Sequence, residues 1–340
     1  MARSIYGIDF GTSNIKIYNG LTKTILNEKN VIAQKDNGFI LAFGDEAYEM
    51  YEKAPDNIDV VFPIKEGVVA NLALMEKLFV EFYKKMTGPR GTKPGRFTIA
   101  VPADTTEVEK KAFYDVVYKS NLRIREIKIV EKPLADAVAI GIDMSSSRGN
   151  LIVNIGADTT ELSVISNGGI VISHIIPIGG SKLNELICDA VSKKYNIDIG
   201  LKTAERIKHE LADAKYNPDE DSQFYVYGRN VITGLPSERG VSKEVVCDAI
   251  SGFFDQVAEA ITNIIERTPP ELTADILGTG LYLTGGSSEI KNIGEALSEK
   301  TEIIVNTIKN PAESIIRGVS MIISDSKYKK LLTEPRESSF

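Results

Sequence analysis

Histidine is scarce in this chain of 340 residues: His174 and His209 are the only two, so chemistry built on imidazole has few candidates. Cysteine is equally scarce. Cys188 and Cys247 stand far apart with no CxxC or Cys/His spacing, which argues against structural zinc and suits a reducing compartment. No apolar run is long enough to span a bilayer. Met1-Ala2-Arg3-Ser4 leads straight into a strand pattern, without the apolar core of a signal peptide. The expectation from these absences is a cytoplasmic protein. Positive charge is not in excess either. Forty Lys and Arg face 47 Asp and Glu, a net charge of −7, which argues against nucleic acid as the main partner.

Hydrophobic residues make up 43% of the chain, enough for a real core, and the length suits about two domains. Residues 5–18 read as strand, tight glycine turn and strand. Residues 67–85 carry helical spacing through Val69, Leu72, Leu74, Leu78 and Phe82. A breaker-rich loop over 87–96 precedes a buried-strand run at 97–101, ended by Pro102. Residues 105–120 read as a helix with Glu107 and Glu109 in its first turn, where carboxylates suit the helix dipole. A short strand at 127–130 and a helix over 133–140, with proline at its start, close the first half.

At Leu151 the pattern begins again. Residues 151–166 are a second strand, glycine turn and strand, and Asn154-Ile155-Gly156-Ala157 falls in register with Asp9-Phe10-Gly11-Thr12. That register predicts an internal duplication. The second half adds a helix-rich insertion at about 182–214, a strand pair around 224–232 and a helix over 243–266. A strand at 280–284, the turn Gly285-Gly286-Ser287-Ser288 and a small-and-apolar helix over 312–323 follow. Strands alternating with helices in two halves predict an α/β fold with two sheets, and a cleft between halves is the natural ligand site.

The most informative stretch is Gly7-Ile8-Asp9-Phe10-Gly11-Thr12-Ser13-Asn14. Gly11 allows a backbone conformation that other residues resist. The N–H groups of Gly11, Thr12 and Ser13 can then converge on phosphate oxygens as an anion nest. Asp9 has the wrong sign to touch phosphate and is suited to orienting water around Mg2+. Taken alone, the stretch is equally an ordinary hairpin. Leu283-Thr284-Gly285-Gly286-Ser287-Ser288 sets two glycines between strand and helix, where adenine or ribose can lie close to backbone. Glu205 and Lys208 share a helix face at i and i+3, a spacing that also serves plain solvated ion pairs.

In order and spacing these segments resemble the actin, Hsp70 and sugar-kinase superfamily, and within it the MreB family of bacterial actins. The superfamily's two phosphate segments match at 8–15 and 153–164, its connecting segments at 131–141 and 310–318, and its adenosine segment at 283–288. MreB-like stretches add to this: residues 203–210, Gly234-Leu235-Pro236, Pro269-Pro270-Glu271-Leu272, Ile178-Gly179-Gly180 and Val108-Glu109-Lys110-Lys111-Ala112. The resemblance runs over roughly residues 5–323. It implies an actin-like (ribonuclease H-like) α/β fold of duplicated domains, with four subdomains around a nucleotide cleft. Subdomain IA would be residues 1–32, 67–146 and 310–340, and IB residues 33–66. IIA would be 147–181 and 241–309, and IIB 182–240.

The resemblance also implies ATP or ADP with Mg2+ as ligands. Asp9, Gly11, Thr12, Ser13 and Asn14 would line the first phosphate loop, and Gly156, Ala157, Asp158, Thr159 and Thr160 the second. Gly180, Glu205 and Lys208 would approach ribose and base, with Gly285, Gly286 and Ser287 on the adenosine side. Asp9 and Asn154 would hold the metal through water.

Three departures fall at the reacting end. MreB proteins carry Asp-Ile-Gly-Gly-Gly-Thr-Thr where this chain has Asn154-Ile155-Gly156-Ala157-Asp158-Thr159-Thr160. Asn154 removes a charge near the metal, and Asp158 brings a carboxylate toward phosphate unless it turns away or joins the metal. The Glu-Glu-Pro of the family is Glu131-Lys132-Pro133, so a lysine stands where a carboxylate orients the attacking water. A charged lysine cannot accept a proton, though it can pair with Asp158 or with a γ-phosphate. Glu131 substitutes for the missing base only if the backbone shifts. Ser181 and Asn184 replace acidic residues after Gly180. Phosphoryl transfer depends on positioning and electrostatics, so the expectation is retained nucleotide binding with slow or absent hydrolysis.

The resemblance further implies a homopolymer of head-to-tail subunits, single or in paired protofilaments, acting in cell shape and wall synthesis with other MreB paralogues and membrane morphogenesis proteins. A regulatory or scaffold paralogue that caps or co-assembles with a competent MreB is the alternative. The loop at 87–96 lacks an apolar anchor and is basic, with Lys84, Lys85, Arg90, Lys93 and Arg96. It reads either as a weak contact with anionic lipid or as a solvated loop, and the second is favoured.

Overall fold

The computed structural model describes residues 4–35, 38–88 and 94–334. The chain divides into two compact units. One comprises residues 1–148, 165–173 and 313–340, the other residues 149–164 and 174–312.

The first unit opens with a hairpin of β1 (Ile5–Phe10) and β2 (Asn14–Asn19), followed by β3 (Thr24–Lys29). A small lobe comes next: β4 (Ile32–Lys35), β5 (Ile40–Phe43), helix α1 (Asp45–Met50) and β6 (Ile58–Val61). Its strands run in the order β5-β4-β6 around a minor core of Val31, Ala33 and Ala47. A short pair, β7 (Ile64–Lys65) and β8 (Val68–Val69), leads into α2 (Leu72–Thr87). The helical spacing predicted from residue 67 therefore starts late. Asn71 accepts from the Leu74 N–H at 3.0 Å and caps the helix, and Gly67 at φ 77° turns the short pair before it.

The unit is completed by β9 (Gly95–Val101), α3 (Glu107–Tyr118), β10 (Ile124–Glu131) and α4 (Lys132–Ile140). Thr106 and Glu109 close a capping box at the start of α3. The main sheet has the order β10-β9-β1-β2-β3, with β1 antiparallel to β2 and parallel to β9. One face of β1 and β2 presents Tyr6, Ile8, Phe10, Ile15 and Ile17 to a core that includes Phe79, Phe97 and Phe113. Phe97 stacks on Tyr6 with ring centroids 5.3 Å apart, so it is core and no lipid anchor.

The second half of the chain repeats the plan. Strands β11 (Asn150–Ile155), β12 (Thr160–Ser166) and β13 (Gly169–Ile176) are followed by α5 (Gly180–Tyr195), β14 (Ile197–Asp198) and α6 (Leu201–Leu211). Asn167 and Gly168 lie at φ 50° and 69° between β12 and β13, as a tight Asn-Gly hairpin turn requires. Then come β15 (Gln223–Asn230), β16 (Pro236–Ser242), α7 (Lys243–Glu266), α8 (Pro270–Thr279), β17 (Leu281–Thr284), α9 (Ile293–Thr301) and β18 (Val305–Thr307). The sheet order is β13-β12-β11-β17-β18. This is the order of the first sheet, three strands in sequence and then two more beside the first of them. The glycine-turn register between Asp9 and Asn154 was thus the visible end of a repeat that spans whole sheets.

Helix α10 (Ser314–Ser324) returns to the first unit. Ser314 donates to the buried Asp136 of α4 at 2.5 Å. Gly318 meets α4 so closely that a Cβ would strike the Ala135 backbone. Gly318→Ala should therefore destabilise the first unit by about 1–3 kcal/mol through overpacking. The helix propensity of alanine offsets up to about 1 kcal/mol of that. Denaturant unfolding measures it, and unchanged stability would mean that α10 can lift off α4 without cost.

Candidate functional site

The β1–β2 turn is built by close approach. Gly11 is outside the left-handed region, contrary to the expectation of an unusual backbone conformation. Its glycine is needed because a Cβ would lie 2.5 Å from the Asn14 carbonyl oxygen. Buried Asn30 fastens the turn from behind: its Nδ2 donates to Gly11 O at 2.8 Å, and its N–H to Ser13 O at 2.8 Å. Ser13 Oγ donates to Asn14 Oδ1 at 2.9 Å and receives Lys29 Nζ at 3.3 Å. Continued one step past Phe10 and Ile15, the hairpin register pairs Gly11 with Asn14, and the N–H groups of Thr12 and Ser13, between them, have no backbone acceptor among the described residues. Two successive backbone N–H groups of this kind suit an anion.

Asp9 sits beneath the turn with 3% of its surface exposed. Lys16 Nζ lies 3.7 Å from one carboxylate oxygen and Lys132 Nζ 3.5 Å from the other. Lys132 also donates to Phe10 O at 3.4 Å. So Lys132, the first residue of α4, faces the β1–β2 turn. Glu131 is engaged elsewhere: its Oε1 accepts from Lys110 at 3.1 Å. Lys16 was missed in the sequence. Counting across the glycine turn would have found it, because the hairpin register sets Asp9 directly opposite Lys16.

In the second unit, residues distant in sequence converge on the β11–β12 turn. Gly156 N donates to Thr159 O at 2.8 Å, closing the turn. Gly156 O accepts from Gly180 N at 3.0 Å and from Ser287 Oγ at 2.8 Å. Ser181 N donates to Ala157 O at 2.7 Å. Lys208 reaches from α6 to Gly180 O at 2.8 Å. A Cβ on Gly180 would stand 2.6 Å from Ser287 Oγ and 3.3 Å from Lys208 Nζ, so any larger residue here requires those side chains to move. Gly285 has φ 86° and presses on the Ile155 backbone, and Gly286 follows it into a single 3-10 turn. Thr160 Oγ1 donates to Ile178 O at 2.8 Å, which places it in the scaffold. Glu205 is half-buried on α6, one turn before Lys208.

Asp158 accepts from Ser181 Oγ at 2.7 Å, so two departures from the family pattern are partners of each other. Asn154 is neutral and half-buried at the end of β11, opposite Thr284.

Comparison with known proteins matches the family described as MreB/Mbl protein over residues 3–331. The chain belongs to the MreB/Mbl family. Among MreB/Mbl relatives, the cell shape-determining protein MreB of Escherichia coli is 34% identical, covering 92% of this chain and 90% of its own. The cell shape-determining protein Mbl of Bacillus subtilis is 32% identical, over 95% and 96%. The crystal structure of MreB5 of Spiroplasma citri bound to ADP superposes with a TM-score of 0.90 at 27% identity, over 97% and 98% of the two chains. The MamK double helical filament, at 20% identity and TM-score 0.78 over 95% and 99%, agrees in fold. The duplicated α/β fold of this MreB/Mbl chain is actin-like.

Magnesium fits these residues poorly. The carboxylate expected to hold its water already faces two ammonium groups, and Asn154 brings no charge. Among the described residues no cluster of three His, Cys, Asp or Glu is suited to a metal ion.

Proposed function

We propose that this chain is a filament subunit of the MreB type that binds an adenine nucleotide and hydrolyses it slowly or not at all. The observation that carries the reading is Lys132, held against Asp9 at 3.5 Å at the phosphate loop, while Glu131 is bound to Lys110. No free carboxylate is then left at that position to take a proton from water. Nucleotide binding itself draws on the free amides of the first turn and on the glycine hollow of the second. The solved MreB5 structures, bound to ADP and to AMPPNP, support the ligand class.

Assembly is supported by the β15–β16 hairpin, whose Tyr225, Tyr227, Ile232 and Leu235 are each more than 60% exposed. Membrane contact has thinner support. Of the five basic residues around the 87–96 loop, Arg90 and Lys93 lie outside the described residues. Lys84 pairs with Glu81, Lys85 with Glu28, and Arg96 with Glu126. These pairs favour the solvated loop, and no helix among the described residues is long and apolar enough to cross a membrane.

The test measures phosphate release from the purified chain with ATP while the same sample is imaged by negative stain. Filaments with release at least about tenfold below that of a Glu-Glu-Pro MreB are expected. Equal release would refute the hydrolysis claim. Bound ATP without filaments would favour a capping or co-assembling paralogue.

A further inference from the structure

We infer that Lys16 and Lys132 are the counter-charge for the nucleotide's phosphates, so that nucleotide binding by this chain does not depend on a divalent cation. The inference rests on the nucleotide reading above and specifies how its first phosphate loop works.

The argument is one of charge in a confined place. The side chains of Lys16, Lys132 and Asp9 are 11%, 13% and 4% exposed, so all three are largely withdrawn from water. Two ammonium groups against one carboxylate leave an excess of one positive charge. The neighbouring carboxylate does not correct it, because Glu131 is neutralised by Lys110. Lys29, 3.3 Å from Ser13 Oγ, adds a further cation at the turn. The N–H groups of Thr12 and Ser13, without a backbone acceptor among the described residues, contribute partial positive charge of the same sign. An uncompensated buried charge is costly unless a partner arrives. Every polar feature of this turn therefore selects an anion.

The same features oppose a metal ion. A hydrated divalent cation needs carboxylate oxygens that face it without competition. Asp9 is the buried carboxylate at this turn, and an ammonium group stands within 4 Å of each of its oxygens. The Oδ1 atom has no hydrogen bond among the described residues, so its interaction with Lys132 is a looser ionic one. Lys132 can swing from carboxylate to phosphate without breaking a directional bond to Asp9. Lysine suits this task, being a compact point charge on a flexible stem. Phosphate charge that a cation would otherwise neutralise is then met by two side chains of the protein.

The experiment is a calorimetric titration of ATP into the nucleotide-stripped, full-length chain, once in excess MgCl2 and once in excess EDTA. The two dissociation constants should agree to better than about tenfold. Weakening by about tenfold or more in EDTA would overturn the inference and leave the nucleotide reading standing. Absence of binding in both buffers would overturn the nucleotide reading and the inference with it. A second arm uses Lys132→Gln, which should lose about tenfold of the affinity measured in EDTA. If Lys132 were only a structural partner of Asp9, the variant would keep its affinity and lower the unfolding midpoint of the nucleotide-free protein. That result would overturn the assignment.

Discussion

Lys132→Glu should raise phosphate release at least about tenfold, because correct positioning of a proton acceptor contributes about 10²–10⁴-fold to such reactions. The substitution restores the Glu-Glu-Pro sequence of the family at a side chain that lies against Asp9 and the β1–β2 turn. It also inverts the local charge. Asp9, Lys16 and Lys132 together carry +1, whereas Asp9, Lys16 and a glutamate would carry −1. The change should therefore make nucleotide binding magnesium-dependent as well as faster in turnover. Lys132→Gln is the control: it removes the ammonium without supplying a base, and release should stay low. Adding Asn154→Asp and Asp158→Gly should bring a further gain greater than the sum of the single effects, since residues acting as a unit are strongly non-additive. Asp158→Gly also frees the Ser181 hydroxyl, which now donates to that carboxylate at 2.7 Å. Release unchanged in the triple variant, with ATP still bound, would place the block in filament geometry and away from these side chains.

How much of this was legible before the structure depends on sequence distance. The glycine turns could be read because each is a local device. A strand, a glycine and a strand sit within one short stretch, Ile5–Asn19, and the second copy, Asn150–Ser166, repeats the first in register. The Lys132 departure was equally readable, because Glu131-Lys132-Pro133 occupies the junction of β10 and α4 in one short stretch. What escaped were relations carried by folding. Lys16 belongs to the site through strand register. Asp158, expected to meet phosphate unless it turned away or joined the metal, accepts from Ser181, 23 residues on, a partner brought by the packing of α5 against the β11–β12 turn. The strand pair expected around 224–232 runs from Gln223 to Ser242, because the polar run Pro236–Ser242 hides its strand character in composition. β13 was not anticipated, although its Asn-Gly turn is an established hairpin signal.

Asp213→Ala should destabilise the second unit by about 3 kcal/mol, the cost of leaving a buried cation without its partner. Lys243 is the first residue of α7, at the end of a helix where the dipole already disfavours positive charge. Its side chain is 7% exposed and lies 2.9 Å from Asp213, whose own side chain is 1% exposed. Asp213 further accepts from Asn292 Nδ2 at 2.8 Å and from the Lys215 N–H at 3.0 Å. The group joins the end of α6, the start of α7 and the loop after β17. Burial by itself would raise the Asp213 pKa, but the ion pair with Lys243 and the hydrogen bonds from the Lys215 N–H and Asn292 together outweigh it and hold the carboxyl below its ordinary range. The sign of the pH dependence follows. A depressed folded-state pKa contributes stability that is fully present above the unfolded value of about 3.9 and is lost as pH falls through the folded value. The difference between wild type and Asp213→Asn should thus be constant near neutral pH and shrink below about pH 4. Exposed Glu220, 3.7 Å from Lys243, gives only weak compensation. The double variant Asp213→Leu/Lys243→Met removes both charges and should recover most of the loss, because a well-packed apolar pair replaces a buried ion pair at little cost. Chemical denaturation of the single and double variants at neutral pH decides it. A single-variant loss below about 1 kcal/mol would show that water reaches Lys243 once Asp213 is gone.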